Sequence, residues 1–380
     1  MKMTIKPELL RWACIRSGYE TSYLIKQFPK LNEWLEADLQ PTLKQLERFA
    51  KAVHAPLGYL FLPVPPEETV PVPDFRTKGN LSVSRPSPEL LDTIYLCQQR
   101  QEWYKNFALA SGEPALSFIG SMNLTDPIVE AATKMRIFTD FSVKERNACP
   151  TWTEALRRFI EQVDARGVLV MTSGVVGSNN RRKLNTDEFR GFALADSHAP
   201  LIFINGADTK SAQMFTLVHE LAHLWLGQSA LSDSGPEDAP VHEVERWCNA
   251  VAAEFLVPME DFESSLRDGE STREKLDRLA RQFKVSTLVV LRRLMDAGEL
   301  SREGYWELYG AELDRLRALP KASGGNFYST TTSRVSKRFA TAIIGSAWAG
   351  RASFTEACKL LGFKNMSTFR DMSHKLGLGV

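Results

Sequence analysis

Across 380 residues the chain has five cysteines, Cys14, Cys97, Cys149, Cys248 and Cys358, and no CxxC pair among them. So sparse and odd-numbered a set excludes a disulfide framework and reads as free thiols in a reducing compartment. An excess of one charge is also missing, because 47 Lys+Arg against 46 Asp+Glu leave a formal net charge of +1. No global field therefore marks a nucleic-acid or membrane partner, and any such contact must come from a local patch. No apolar run reaches the roughly 18 residues that a membrane span needs. Residues 1–11 are charged and polar, unlike the apolar segment of a signal peptide. These absences set the expectation of a cytoplasmic protein with no membrane partner, and the length suggests two or three domains.

What is present is a compact motif at 215–227, FTLVHELAHLWLG. On an α-helix His219 and His223 project from one face and can close on a single metal ion, with Glu220 within reach of a metal-bound water. Two neutral imidazoles hold Zn²⁺ without cancelling its charge. The metal draws the pKa of a bound water from about 15.7 toward about 7, and a carboxylate accepts the proton as the water attacks a peptide carbonyl. Two His and one Glu in this order also arise by chance, and helical histidines are more often core or surface residues. The surroundings raise the metal reading: Phe215, Leu217, Val218, Leu221, Ala222, Leu224, Trp225 and Leu226 are apolar. A helix buried on most sides needs something to satisfy its His and Glu side chains, and a metal does so.

A catalytic zinc takes three protein ligands and leaves one position for water. The run 241–257, VHEVERWCNAVAAEFLV, repeats apolar residues at helical spacing and is closed by Pro258. His242, Glu243, Glu245 and Glu254 are the candidate ligands in it, and Glu245, Asn249 and Ala252 share one face. FTLVHELAHLWLG followed by ERWCNAVAAEFLVP resembles the ImmA/IrrE family of metallopeptidases. That resemblance implies that Glu245 completes a Zn²⁺ site with His219 and His223 and that Glu220 is the catalytic general base. Glu254 stays the second choice as ligand, and His242 is a candidate for holding substrate. The resemblance also implies an α+β minimal zincin core in which one strand lies along the cleft and pairs with an extended peptide. The segment 189–195 is the candidate for that strand.

The remaining chain divides around this centre. Residues 1–62 read as helices at 7–15, 21–27, 31–35 and 42–53. LRWACIRSGYETSYLIKQF and QPTLKQLERFAKAV there resemble a Cro/C1-type (XRE) helix-turn-helix. Between Leu24 and Pro41 the segment is shorter than the usual pattern and carries Glu33, Glu36 and Asp38 against Lys26 and Lys30. A scaffold or protein-binding surface is therefore preferred over DNA reading. Residues 63–88 form a Pro-rich linker or strap, in which Phe75 and Arg76 are candidates for docking on the catalytic body. The zincin-like domain, 89–265, is expected to carry helices at 90–109, 126–138 and 152–165. Three strands at 167–172, 189–195 and 200–205 follow them. Residues 266–320 are a helical extension whose LARQFKVSTLVVLRRL resembles a second helix-turn-helix; Arg292 and Arg293 could meet phosphate, but a buttress for the core is preferred. A hinge at 322–333 leads to a basic helical module, 326–380, with eight Lys/Arg against Glu356 and Asp371. Nucleic acid and an acidic protein suit this tail equally.

The expected fold is thus α+β: a helix-turn-helix module, a central minimal zincin with a small sheet, and a helical tail. The resemblance implies a cytosolic zinc metalloendopeptidase that cleaves a regulatory protein such as a repressor. The alternative is a DNA-associated regulator or antitoxin-like protein that holds a cognate toxin, with proteolysis absent or conditional.

Overall fold

A change of sequence period, from helical spacing to short β-branched and aromatic runs, sets a small sheet in the middle of an otherwise helical chain. The computed structural model describes residues 2–74, 86–232, 242–318 and 334–378, and the fold is α+β. Two compact units are present: Met1–Pro71 with Ser84–Ile94, and Val72–Val83 with Tyr95–Val380.

In the first unit, helices Pro7–Arg16, Thr21–Gln27, Leu31–Leu35 and Leu43–Ala52 enclose a core that includes Leu10, Leu24, Leu31, Trp34, Leu46 and Phe49. The last of these helices starts with a capping box, Thr42 accepting from the Gln45 amide while the Gln45 side chain reaches back. The Pro-rich stretch begins here, tied by the buried Arg16–Glu68 pair at 2.8 Å. Its candidate docking residues Phe75 and Arg76 lie outside the described residues, as does the hinge at 322–333.

The second unit holds strands β1 (Leu169–Ser173), β2 (Gly191–Leu194), β3 (Leu201–Asn205) and β4 (Ala230–Ser232) in the order β1-β3-β2-β4. β1 and β3 are parallel, while β2 runs antiparallel to both β3 and β4. One face of the sheet carries Phe192 stacked on Phe203 at 5.0 Å. Val170, Ala193, Ile202 and Ile204 join the main core with Leu217, Val218 and Leu221 of the helix Lys210–Trp225.

The sheet differs from the sequence reading in two ways. It has a fourth strand, which is three residues long and includes Ala and Ser, residue types with little β preference. Pairing with β2 holds it rather than its own composition. The segment 189–195 is also not an open cleft strand. β2 lies between β3 and β4 with both edges paired, so an extended peptide cannot add to it. β4 is the outer strand on that side, and its Leu231 amide donates to the Pro73 carbonyl at 2.9 Å.

Gly191 opens β2 where the sheet presses closest on the motif helix. A Cβ there would sit 2.5 Å from Thr216 Cγ2, 2.9 Å from the Phe203 carbonyl and 3.1 Å from Glu220 Oε1. Gly191→Ala is expected to cost about 1–3 kcal/mol of stability by overpacking. Urea unfolding of the two proteins checks it, and an unchanged midpoint would contradict the close approach.

Helices Thr272–Phe283 and Thr287–Asp296 pack into the same core through Leu279, Phe283, Val290 and Leu294, so they buttress the sheet and its helices. The tail forms helices Lys337–Trp348, Phe354–Leu361 and Met366–Lys375. It is fastened to this unit by Arg100, buried, which donates to the carbonyls of Leu360 at 2.9 Å and Arg334 at 3.2 Å. Ser336 and the Arg338 amide both donate to the Asp164 carboxylate.

Candidate metal centre

The helix Lys210–Trp225 is fixed at both ends. Thr209 caps it by accepting from the Ala212 amide, and buried Gln213 donates to the carbonyls of Gly206 at 3.2 Å and Asp208 at 2.6 Å. At the far end Gly227 turns the chain with φ +69°, and the amides of Gly120 and Met122 satisfy the carbonyls of Leu224 and Trp225. A Cβ on Gly227 would meet Gly120 Cα at 2.9 Å, so glycine serves both the turn and the close approach.

The partner helix Glu243–Leu256 packs directly on it. Glu243 and Glu245 in its first turn suit the positive end of the helix dipole. Arg136 donates to the carbonyls of Glu254 and Phe255, and buried Arg146 donates to that of Leu256, so the last carbonyls are satisfied from a neighbouring segment.

These two helices bring three side chains to one point. His219 Nε2 lies 3.1 Å from His223 Nε2 and 3.2 Å from Glu245 Oε2, and His223 Nε2 lies 3.0 Å from Glu245 Oε1. All three are buried. A tetrahedral zinc with bonds of about 2.0–2.1 Å spaces its ligand atoms roughly 3.3 Å apart, so the donor set and its spacing fit that ion.

Glu220 is fully buried on the same helix, and among the described residues its carboxylate makes no close hydrogen bond, with the Ser232 hydroxyl as a nearby polar neighbour. Burial pushes its carboxyl up to about 8; His219 opposes this, Glu245 adds to it, and the nearby Ser232 hydroxyl opposes it in turn. Burial would also raise the Glu245 carboxyl, yet the two imidazoles hold it well below the usual carboxylate range. Burial would lower His219, but Glu245 and Glu220 raise it on balance, whereas His223 stays lowered by burial. Asn249, one turn on from Glu245, favours the charged form of His219.

The other candidates fall elsewhere. Glu254 lies away from the three donors, paired with Arg293 at 2.8 Å in a buried bridge. That contact also turns Arg293 inward, away from any phosphate. His242 and Glu243 are exposed. Arg293→Ala leaves the Glu254 carboxylate buried without its partner and is expected to cost about 3–5 kcal/mol. Denaturant unfolding checks this, and a loss below 1 kcal/mol would show that the pair is not buried as described.

Gly191 and Ser232 border Glu220 without having been singled out from the sequence. A glycine within a strand run, where a close backbone approach is the usual reason, was the available signal for the first. The second had none.

No curated protein matches the chain. Residues 335–375, the three tail helices, match a family model described as a domain of unknown function (DUF8813). Residues 163–295, which contain the sheet, both site helices and the buttressing pair, match the Peptidase_M78 model, described as an IrrE N-terminal-like domain, and this supports placing that part of the chain with the ImmA/IrrE metallopeptidases.

Proposed function

We propose that the chain is a cytoplasmic zinc-dependent endopeptidase of the ImmA/IrrE type that cleaves a regulatory protein such as a repressor. The observation that carries this reading is the convergence of His219, His223 and Glu245 beside the buried Glu220. No helix among the described residues is long and apolar enough to cross a membrane.

His219, His223 and Glu245 would hold the zinc. When bound, the ion polarises the scissile carbonyl and makes water acidic enough to attack near neutral pH. Glu220 is placed to accept a proton from the attacking water and to pass it to the amide nitrogen as the C–N bond breaks. Burial raises its carboxyl, and a divalent cation next to it would draw the value down.

The test is to express the wild type and Glu220→Gln in the native host and map newly formed protein N-termini. A small set of cleavage sites that appear with the wild type and vanish with Glu220→Gln is expected. Identical sets from the two proteins would overturn the peptidase reading.

A further inference from the structure

The tail at 335–375 matches a domain of unknown function, and the proposed hydrolysis uses none of its residues. Its three helices form a unit of recognisable design. Phe354–Leu361 ends on Gly362, which has φ +74°, and the chain reverses through Phe363 and Lys364 before Asn365 caps Met366–Lys375. A short turn with a left-handed glycine between two helices, laid on a third, is the arrangement of a helix-turn-helix. The packing is specific: Trp348, Phe354 and Phe369, one from each helix, have ring centroids 5.3, 5.9 and 5.4 Å apart. Trp348 Nε1 donates to Ser373 Oγ at 2.8 Å, which fixes how the last helix is rotated.

That rotation decides what the last helix presents. Phe369, Met372 and Ser373 are buried, whereas Ser367, Arg370, Asp371 and His374 are exposed along the opposite face. Lys364 at the turn and Lys375 at the helix end are exposed too, as are Arg351 and Lys359. The exposed acids among the module's described residues are Glu356 and Asp371, so a chain of nearly zero net charge places a local positive excess here. The inner side of the module is occupied by Arg100 and Asp164, and Gly362 of the turn packs on Ser178, while Ser367, Arg370, Asp371 and His374 stay exposed.

We propose that this module is a helix-turn-helix that seats Met366–Lys375 in the major groove of duplex DNA. A helix of this length is about 15 Å long, and it enters a groove about 12 Å wide. Lys364 and Arg370 supply cationic contacts to phosphate or guanine, and Ser367 and His374 supply donors and acceptors for base edges. An A-form RNA duplex does not suit it, because its major groove is too narrow for a helix. A purely electrostatic dock for an acidic protein would not require the hydroxyl and imidazole groups on the same face. Because the module is bolted to the catalytic unit, DNA binding would hold that unit at a chromosomal site.

The test uses the full chain and fluorescence anisotropy with a labelled mixed-sequence duplex over a range of salt. Micromolar binding at low salt is expected, weakening linearly on a log–log plot. Lys364→Ala combined with Arg370→Ala should weaken binding about 10–100-fold and reduce the salt slope by roughly 1.8. Lys144→Ala, an exposed charge of the catalytic unit, should leave both unchanged. All the substituted side chains are exposed, and matching melting curves establish that the variants are folded. Three results would overturn the proposal: no salt-dependent binding by the wild type, the same slope and affinity in the double variant, or displacement by polyglutamate as effective as by unlabelled duplex. The second places DNA elsewhere on the chain, and the third points to an acidic protein.

Discussion

Glu220→Gln is expected to slow peptide hydrolysis by about 10²–10⁴-fold while the protein still binds one zinc. The amide keeps the size and most of the shape of the carboxyl group but can no longer take up a proton. Glu220 is fully buried with Ser232 as its nearby hydroxyl neighbour, and the Gln side chain keeps an oxygen that can accept from it. The rate is read on the cleavage sites mapped in the host, and the metal by elemental analysis of the purified variant. Loss of zinc together with activity would make Glu220 a structural element of the site rather than its base.

His219→Ala should do the opposite and remove the metal. One of three converging donors disappears, and because substitutions of mere supporting residues already weaken metal sites by about 10–100-fold, loss of a direct ligand is expected to exceed 100-fold. Stability should follow. An ion present at 100 times its dissociation constant stabilises the folded chain by about 2.7 kcal/mol, so the wild type should melt higher with zinc than with chelator, and His219→Ala should not respond. Glu245→Gln is the companion variant. It keeps an oxygen near both imidazoles but removes the negative charge that the two histidines hold in its ionised form. A zinc-dependent melting shift of wild-type size in either variant would contradict the assignment of that residue.

The site was legible in the sequence where chemistry fixes spacing. His219, Glu220 and His223 stand out because a spacing of four puts two imidazoles on one helix face with a carboxylate beside them. Glu245 and Glu254 share a helix, but at 3.6 residues per turn they lie on opposite faces. Nothing local says which face meets the motif helix; the resemblance favoured Glu245, and packing brings it to the histidines while sending Glu254 to Arg293. The helices of the first unit were legible from their apolar spacing, as was Trp152–Ala165 in the second. β4 was not, since Ala230–Ser232 is a strand only because β2 lies beside it, and with it went the identity of the sheet's outer edge. Nor could the sequence show that Arg100 reaches the Leu360 carbonyl, because a contact between residues so far apart in the chain leaves no periodic trace.

The central claim is a single ion held by two imidazoles and one carboxylate from neighbouring helices. Zinc-edge X-ray absorption on the purified wild-type chain reads that shell directly. Two nitrogen ligands and oxygen ligands at about 2.0–2.2 Å, with no sulfur, are the expected result, and Glu245→Ala should lose one of the oxygens. A sulfur ligand at about 2.3 Å, which would draw in Cys248, or a shell unaffected by removal of Glu245, would contradict the account.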